Sequence, residues 1–355
     1  PNQYIVVLKD GPRISAGSVA QSVGATPKYT YDAALNGFAA TLNPGQLKAL
    51  QKHPNVAYIE QDAEVSIQAA QPDVSIQTAQ PVSGGQWGLD RIDEPTLPLD
   101  GFYNYNATAS NVTVYLIDTG INISHWEFAG RAAVAYDALG GNGIDCNGNA
   151  TYQQGVIGSV NYGVAKAVQM RGVRVLNCSG SGTTSSVLSG MNWVAANAVS
   201  PAVVNINLGM AGPNATVNAA TTNMVNAGKT VVVSAGSNNA NACNYSPASA
   251  AGVLTVAGSM SNDNRAPFSN FGQCVELYAP AGTITTTSIN GGYATISGTS
   301  MSASFTSGVA ALYLSGNPAA SPAVVNNWIT TNATPGVIIG NILPTPNLLL
   351  YKSNL

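Results

Sequence analysis

The sequence predicts an α/β fold: a mainly parallel sheet with helices on both faces, preceded by a small α+β domain. Three observations carry that reading. From Trp87 onward, valine-rich runs ending in Gly or polar residues alternate with helical stretches, the pattern of parallel strands buried on both faces. The first 64 residues instead read strand, helix, strand, strand, helix, strand. A length of 355 residues leaves room for one large domain and one small one.

In the N-terminal stretch the strands are QYIVVL, PKYTY, GFAATL and NVAYIEQ, and the helices are ISAGSVAQSVG and PGQLKALQKH. This is a split βαβ arrangement. Pro44 sits where a first helical turn tolerates proline, and Pro54 closes the same helix. A nine-residue duplication follows, VSIQAAQPD at 65–73 and VSIQTAQPV at 74–82. Two copies are too few for a solenoid, so the segment reads as an extended polar linker. The expected division is therefore 1–64, 65–82 and 83–355. In the large domain the strands are 112–117, 168–176, 202–208, 229–236 and 252–258. Helices fall at 185–199, at 217–228 and from about 299 to 315. Ligand sites in such sheets lie at the carboxyl ends of the strands.

Composition narrows the functions. Only 8% of residues are charged, against roughly 25% in ordinary globular proteins, so neutral hydrogen-bonding groups must supply most of the surface polarity. A formal charge of −3 without a basic cluster excludes nucleic acid as a partner. No apolar run approaches the ~18 residues of a membrane span. Pro1-Asn2-Gln3 leads directly into an apolar run, so any secretory segment is expected to have been removed. The cysteines form two similar intervals, Cys146 to Cys178 and Cys243 to Cys274. That spacing suits two local bridges in an oxidising compartment, or else four buried thiols. No CxxC spacing points to zinc, and no metal is assigned. Sequons stand at Asn106, Asn111, Asn122, Asn149, Asn177, Asn214, Asn244 and Asn332, close to the number that chance places in so Asn- and Thr-rich a chain.

Two segments look like chemistry. Asp118 follows a strand in I-D-T-G-I, where its carboxylate reaches the strand end or merely caps a turn. Ser300, in S-G-T-S-M-S, opens a helical stretch whose N–H groups suit a nucleophile and an oxyanion, although Gly-Thr-Ser also makes an ordinary helix cap.

Together with these, W-G-L-D-R-I-D (87–93), Y-G-V-A-K-A-V (162–168), N-A-C-N-Y-S-P-A (241–248), F-S-N-F-G-Q-C-V (268–275) and I-S-G-T-S-M (296–301) resemble signatures of the subtilisin-like serine proteases, in the proteinase K and aqualysin branch. The resemblance implies a subtilisin-like sheet. It also implies that residues 1–64 form a ferredoxin-like inhibitory prodomain and that the bridges are Cys146–Cys178 and Cys243–Cys274. It places Asp118 and Ser300 at two of three catalytic positions. It makes Gly180, Ser181, Gly182, Leu208 and Gly209 the edges of a substrate cleft, which the linker of the same molecule is free to occupy. The third catalytic position departs from the family. Where the family has N-G-H-G-T-H, this chain has Asn147-Gly148-Asn149-Ala150-Thr151-Tyr152, so Asn149 replaces the general base. Ser237 replaces the oxyanion asparagine, with Asn238 beside it as a substitute donor. Neither His53 nor His125 stands where a base is needed. Glu276 falls where one branch of the family has a calcium ligand, but no cofactor is assignable.

From the missing base the sequence reading expects a secreted pseudoprotease that keeps its prodomain as a 36.2 kDa chain, a structural or self-assembling extracellular glycoprotein. The alternatives are a peptide- or protease-binding module and a residual serine endopeptidase.

Overall fold

The computed structural model describes residues 2–9, 11, 15–67, 72–77 and 86–355. The N-terminal domain contains β1 (Gln3–Leu8), α1 (Ala16–Ser22), β2 (Pro27–Tyr31), β3 (Gly37–Thr41), α2 (Pro44–Gln51) and β4 (Val56–Gln61). Its sheet has the order β2-β3-β1-β4, with all neighbours antiparallel, as the split βαβ pattern requires. Asn43 and Gln46 form a capping box before α2, with Pro44 in its first turn. Alternation sorts the strands. Val6, Leu8, Phe38 and Ala40 close a small core with Val19, Ala20 and Leu50, while Ile5, Val7, Tyr31 and Ala39 pack against the large domain.

The duplicated segment is not a free linker. Residues Glu64–Ile67 form β5 and Pro72–Gln77 form β6, each paired to the large domain, because extended backbone finds unpaired strand edges there. Residues 68–71 and 78–82 of the duplication lie outside the described residues.

The large domain continues with α3 (Trp87–Asp93), β7 (Thr113–Asp118), β8 (Ala132–Asp137), α4 (Asn149–Gly158), β9 (Gln169–Arg174), β10 (Ser181–Thr183), α5 (Thr184–Asn197), β11 (Ala202–Ile206), β12 (Leu208–Ala211) and α6 (Ala215–Asn226). Then come β13 (Thr230–Ser234), β14 (Tyr245–Ser246), β15 (Leu254–Ser259), β16 (Leu277–Pro280), β17 (Ile284–Thr287), β18 (Tyr293–Ile296), α7 (Thr299–Gly316), α8 (Pro322–Asn332), β19 (Thr334–Pro335) and β20 (Leu348–Leu349). The central sheet runs β19-β20-β16-β15-β13-β11-β7-β9-β8 and is parallel except at its β19–β20 edge.

Strands β11 and β13 are buried along their whole length, which explains their unbroken valine runs. Helices α5 and α6 cover one face through Val187, Leu188, Met191, Val217 and Met224. Helices α4, α7 and α8 cover the other through Val156, Ile157, Met301, Val309, Val325 and Ile329. Helix α7 is almost entirely buried and approaches Val164 at Gly308, where an added Cβ would lie 2.5 Å from the valine Cβ. After β7 the chain fills one side of the sheet with β8 and β9, then returns to β11 on the other side. That switch point, at the carboxyl ends of β7 and β11, is where such sheets hold ligands.

Candidate active site

Asp118 ends β7 and is fully buried. Its Oδ1 accepts the Thr119 N–H at 2.7 Å. Asn149, the first residue of α4, donates its Nδ2 to both carboxylate oxygens at 2.9 Å. Gln153, one helical turn later, donates Nε2 to Oδ2 at 2.9 Å. Burial pushes the Asp118 carboxyl up to about 6, although the hydrogen bonds from Asn149 and Gln153 pull the other way. The start of α4 is set by Asp145, whose carboxylate accepts N–H groups from Asn147, Gly148 and Thr151 at 2.9–3.0 Å.

A polar chain leads on toward Ser300. Gln153 Oε1 accepts Asn207 Nδ2 at 2.6 Å, and the same Nδ2 lies 3.5 Å from the Ser300 carbonyl. Gln153 and Asn207 were missed in the sequence. Two signals were available: Gln153 is four residues from Asn149 and so shares its helix face, and Asn207 immediately precedes the Leu208-Gly209 edge.

Ser300 is the second residue of α7, buried, at the helix's N-terminal end. Ser237 follows β13 and lies at the same helix end, but its hydroxyl serves the fold. Its Oγ accepts the Thr299 N–H at 3.2 Å and faces Thr299 Oγ1 at 3.2 Å. Asn238 is exposed, and its backbone N–H is held by Asn270 Oδ1 at 3.0 Å. His125 is buried before a short 3-10 turn with both ring nitrogens engaged. Nδ1 accepts the Glu127 N–H at 3.3 Å, and Nε2 meets the Gly292 carbonyl at 3.1 Å. Burial lowers its pKa. His53 belongs to the N-terminal domain.

The segments expected as cleft edges are strands β10, carrying Ser181 and Gly182 after Gly180, and β12, carrying Leu208 and Gly209. Strand β5 lies between them, antiparallel to both. Ser66 is opposite Ser181 and Gly209, Val65 opposite Gly182, and Ile67 opposite Leu208. Ile67 N–H donates to the Gly180 carbonyl at 2.9 Å, and Thr184 N–H donates to the Ala63 carbonyl at 2.8 Å. The N-terminal domain is anchored alongside by its acids. The Asp62 carboxylate accepts the Ser185 N–H at 2.9 Å and its hydroxyl at 2.6 Å. Glu60 accepts from Asn214 and Thr216 at the start of α6. Both acids meet positive helix ends. Asn192 Oδ1 accepts three N–H groups from Asp32, Ala33 and Ala34 at 2.8–3.1 Å.

Both bridges form as the resemblance implied, Cys146–Cys178 and Cys243–Cys274. Among the sequons, Asn149 and Asn214 are buried and engaged, so a glycan fits neither in the folded chain. Asn106, Asn111, Asn177 and Asn244 are exposed; Asn122 and Asn332 are partly so. Glu276 is pushed up to about 7 by burial while accepting the Thr255 N–H at 2.6 Å. Among the described residues no three His, Cys, Asp or Glu side chains stand together as a metal site.

The site thus holds a buried carboxylate at a strand end, a serine at a helix N-terminus and an extended segment held between two strand edges. Residues 109–345 match the Subtilase family, and residues 3–68 match Peptidase inhibitor I9. The chain belongs to the subtilase family and carries an I9 inhibitor prodomain. It is 44% identical to the "Extracellular serine proteinase" of Thermus sp. (strain Rt41A), over 99% of this chain and 89% of the relative. It is 46% identical to the "Alkaline serine exoprotease A" of Vibrio alginolyticus, over 91% of this chain and 59% of the relative. The crystal structure of a cold adapted subtilisin-like serine proteinase superimposes with a TM-score of 0.74 at 45% identity, covering 76% of this chain and 99% of that one.

These relatives correct the expectation of a structural or self-assembling pseudoprotease: proteins this similar, over most of the chain, bear the names of serine proteinases. The extracellular placement of the relatives agrees with the secreted localisation read from the sequence. No helix among the described residues is long and apolar enough to cross a membrane.

Proposed function

We propose that this chain is the precursor of a secreted serine endopeptidase, with Ser300 as nucleophile and the N-terminal domain as its inhibitor. In this reading residues 1–64 are the inhibitor, 83–355 the peptidase and 65–82 the junction that is processed. The observation that carries it is the register of β5. Its main chain is bound from both sides as an extended peptide would be, and Ile67 lies opposite Leu208, whose neighbour Asn207 has its side chain beside the Ser300 carbonyl.

A carbonyl presented there meets the N-terminal end of α7, whose N–H groups stabilise the negative charge that develops on its oxygen. Ser300 Oγ attacks the carbonyl carbon, the C–N bond breaks with a proton passing from water to the amine, and a second water hydrolyses the ester. Asn149 has no basic nitrogen; its Nδ2 is spent on Asp118. The Ser300 proton therefore leaves to hydroxide from solvent, which makes the rate climb about tenfold per pH unit on the alkaline side.

A biotinylated fluorophosphonate tests the assignment. Peptide mapping is expected to find the adduct on Ser300 and to lose it in Ser300→Ala. Label on another residue, or none after days at pH 9, would overturn it.

A further inference from the structure

The inhibitory segment is present twice. The stretch 64–72 reads Glu-Val-Ser-Ile-Gln-Ala-Ala-Gln-Pro, and 73–81 reads Asp-Val-Ser-Ile-Gln-Thr-Ala-Gln-Pro. The two differ only by Glu for Asp and Ala for Thr. The first copy supplies β5 in the cleft. The second, with Pro72 from the end of the first, supplies β6, which pairs antiparallel with β18 through Gln77 opposite Tyr293, Asp73 opposite Thr295 and Pro72 opposite Ile296.

We propose that Asp73–Ile76 is a second inhibitory strand, able to replace Glu64–Ile67 in the slot between β10 and β12. The proposal rests on the reading of β5 as an inhibitory strand. What the slot requires of its occupant is visible in β5. Main-chain groups must pair with both edges, Val65 is 1% exposed within the large core, and Ser66 points to solvent. Ile67 sits against Gly180, which has φ 76°; a Cβ there would lie 2.8 Å from Ile67 Cδ1. The second copy provides Val74, Ser75 and Ile76 in the same order, and an acid at the first position. It is already a strand, so little further ordering is needed for it to enter an extended slot.

The exchange needs only a nine-residue shift. Asp62 and Ala63 stay on α5 through Ser185 and Thr184, while 64–72 leave as a surface loop, a length change such loops tolerate. Residues 78–86 then connect the cleft to α3, with a reach of about 30 Å. A cut after the first copy accordingly leaves the peptidase carrying an inhibitory strand of its own, parked on β18. That differs from a peptidase freed by a single cut.

Cysteine trapping in a Ser300→Ala background tests this without relying on turnover. Ser66 and Ser181 form a non-hydrogen-bonded pair, flanked by the Ile67–Gly180 and Ala63–Thr184 bonds, the geometry in which opposed side chains come closest. Ser66→Cys with Ser181→Cys, oxidised by copper phenanthroline, is the control for the first register. Ser75→Cys with Ser181→Cys is expected to cross-link in a minor fraction of molecules, and in most of them once Ile67→Pro removes the bond to Gly180. A deletion of 64–72 that places Asp73 directly after Ala63 is expected to cross-link as fully as the control. Absence of the Ser75 cross-link in both the Ile67→Pro and deletion chains, with the control intact, would overturn the proposal. Failure of the control would instead count against β5 as the bound strand.

Discussion

Asn149→His is the perturbation with the largest expected effect. Asn149 Nδ2 lies 2.9 Å from both Asp118 oxygens, so an imidazole grown from the same first turn of α4 inherits the carboxylate as its Nδ1–H acceptor. Asp118, raised by burial to about 6, is about 99% ionised at pH 8 and orients the ring while stabilising its protonated form. In subtilisin, loss of the base costs about 2 × 10⁶ in kcat, and loss of the oxyanion side chain about 10²–10³. These losses do not add, and Ser237 remains in place of the oxyanion amide. We therefore expect Asn149→His alone to recover about 10³-fold, and Ser237→Asn to add about 10²-fold. The second gain is partly offset, because the Ser237 hydroxyl now holds Thr299 N–H. The assay follows conversion of the 36.2 kDa chain by gel and hydrolysis of a peptide anilide from pH 6 to 10. The tenfold-per-unit climb should give way to a sigmoid with an apparent pKa near 7. An unchanged rate and an unchanged slope would refute the reasoning.

Further expectations follow from the same contacts. Asp118 has a folded pKa of about 6 against 3.8 unfolded, so its contribution is fully present below about pH 4 and is lost as pH rises through 6, a fall of about 3 kcal/mol. Urea unfolding across that window should show the decline, to which Glu276, raised to about 7, also contributes, and Asp118→Asn should lessen it by about 3 kcal/mol; an undiminished decline would remove Asp118 as one of its sources. Asp62→Ala, which loses both bonds from Ser185, should weaken docking of the N-terminal domain by about 1–2 kcal/mol and speed fluorophosphonate labelling of Ser300 about 5- to 30-fold. Equal labelling would show that Asp62 does not hold the inhibitor in place. Replacing Cys146 and Cys178 by Ala opens a loop closed by residues 32 apart, for an expected loss of about 4 kcal/mol in urea denaturation. Native stability would show the bridge to be dispensable.

Much of the fold was legible because its signals are local. Unbroken valine runs such as AVVNI and TVVVS mark buried parallel strands, and Pro44 with Pro54 marks both ends of a helix. Strands β16 to β20 went unread because they are two to four residues long, too short to establish a period. The duplicated stretch misled for another reason: Val-Ser-Ile-Gln is polar and unremarkable until the edges of β10 and β12 are seen waiting for a strand. At the site, Asp118, Asn149, Ser237 and Ser300 could be placed by motif. Gln153 and Asn207, which link Asp118 to Ser300, were missed: the spacing from Asn149 and the place before Leu208-Gly209 set each near the site, but their bond spans 54 positions and neither signal says that they meet. Burial of Asn149 and Asn214 was equally invisible in their sequons, because a sequon reports chemistry and not depth.

Peptide hydrolysis by the native chain, measured beside Ser300→Ala at pH 9, tests the central claim most directly. The account predicts a slow rate in the native chain, rising about tenfold per pH unit, and none above buffer in Ser300→Ala. Identical rates in the two proteins would contradict it.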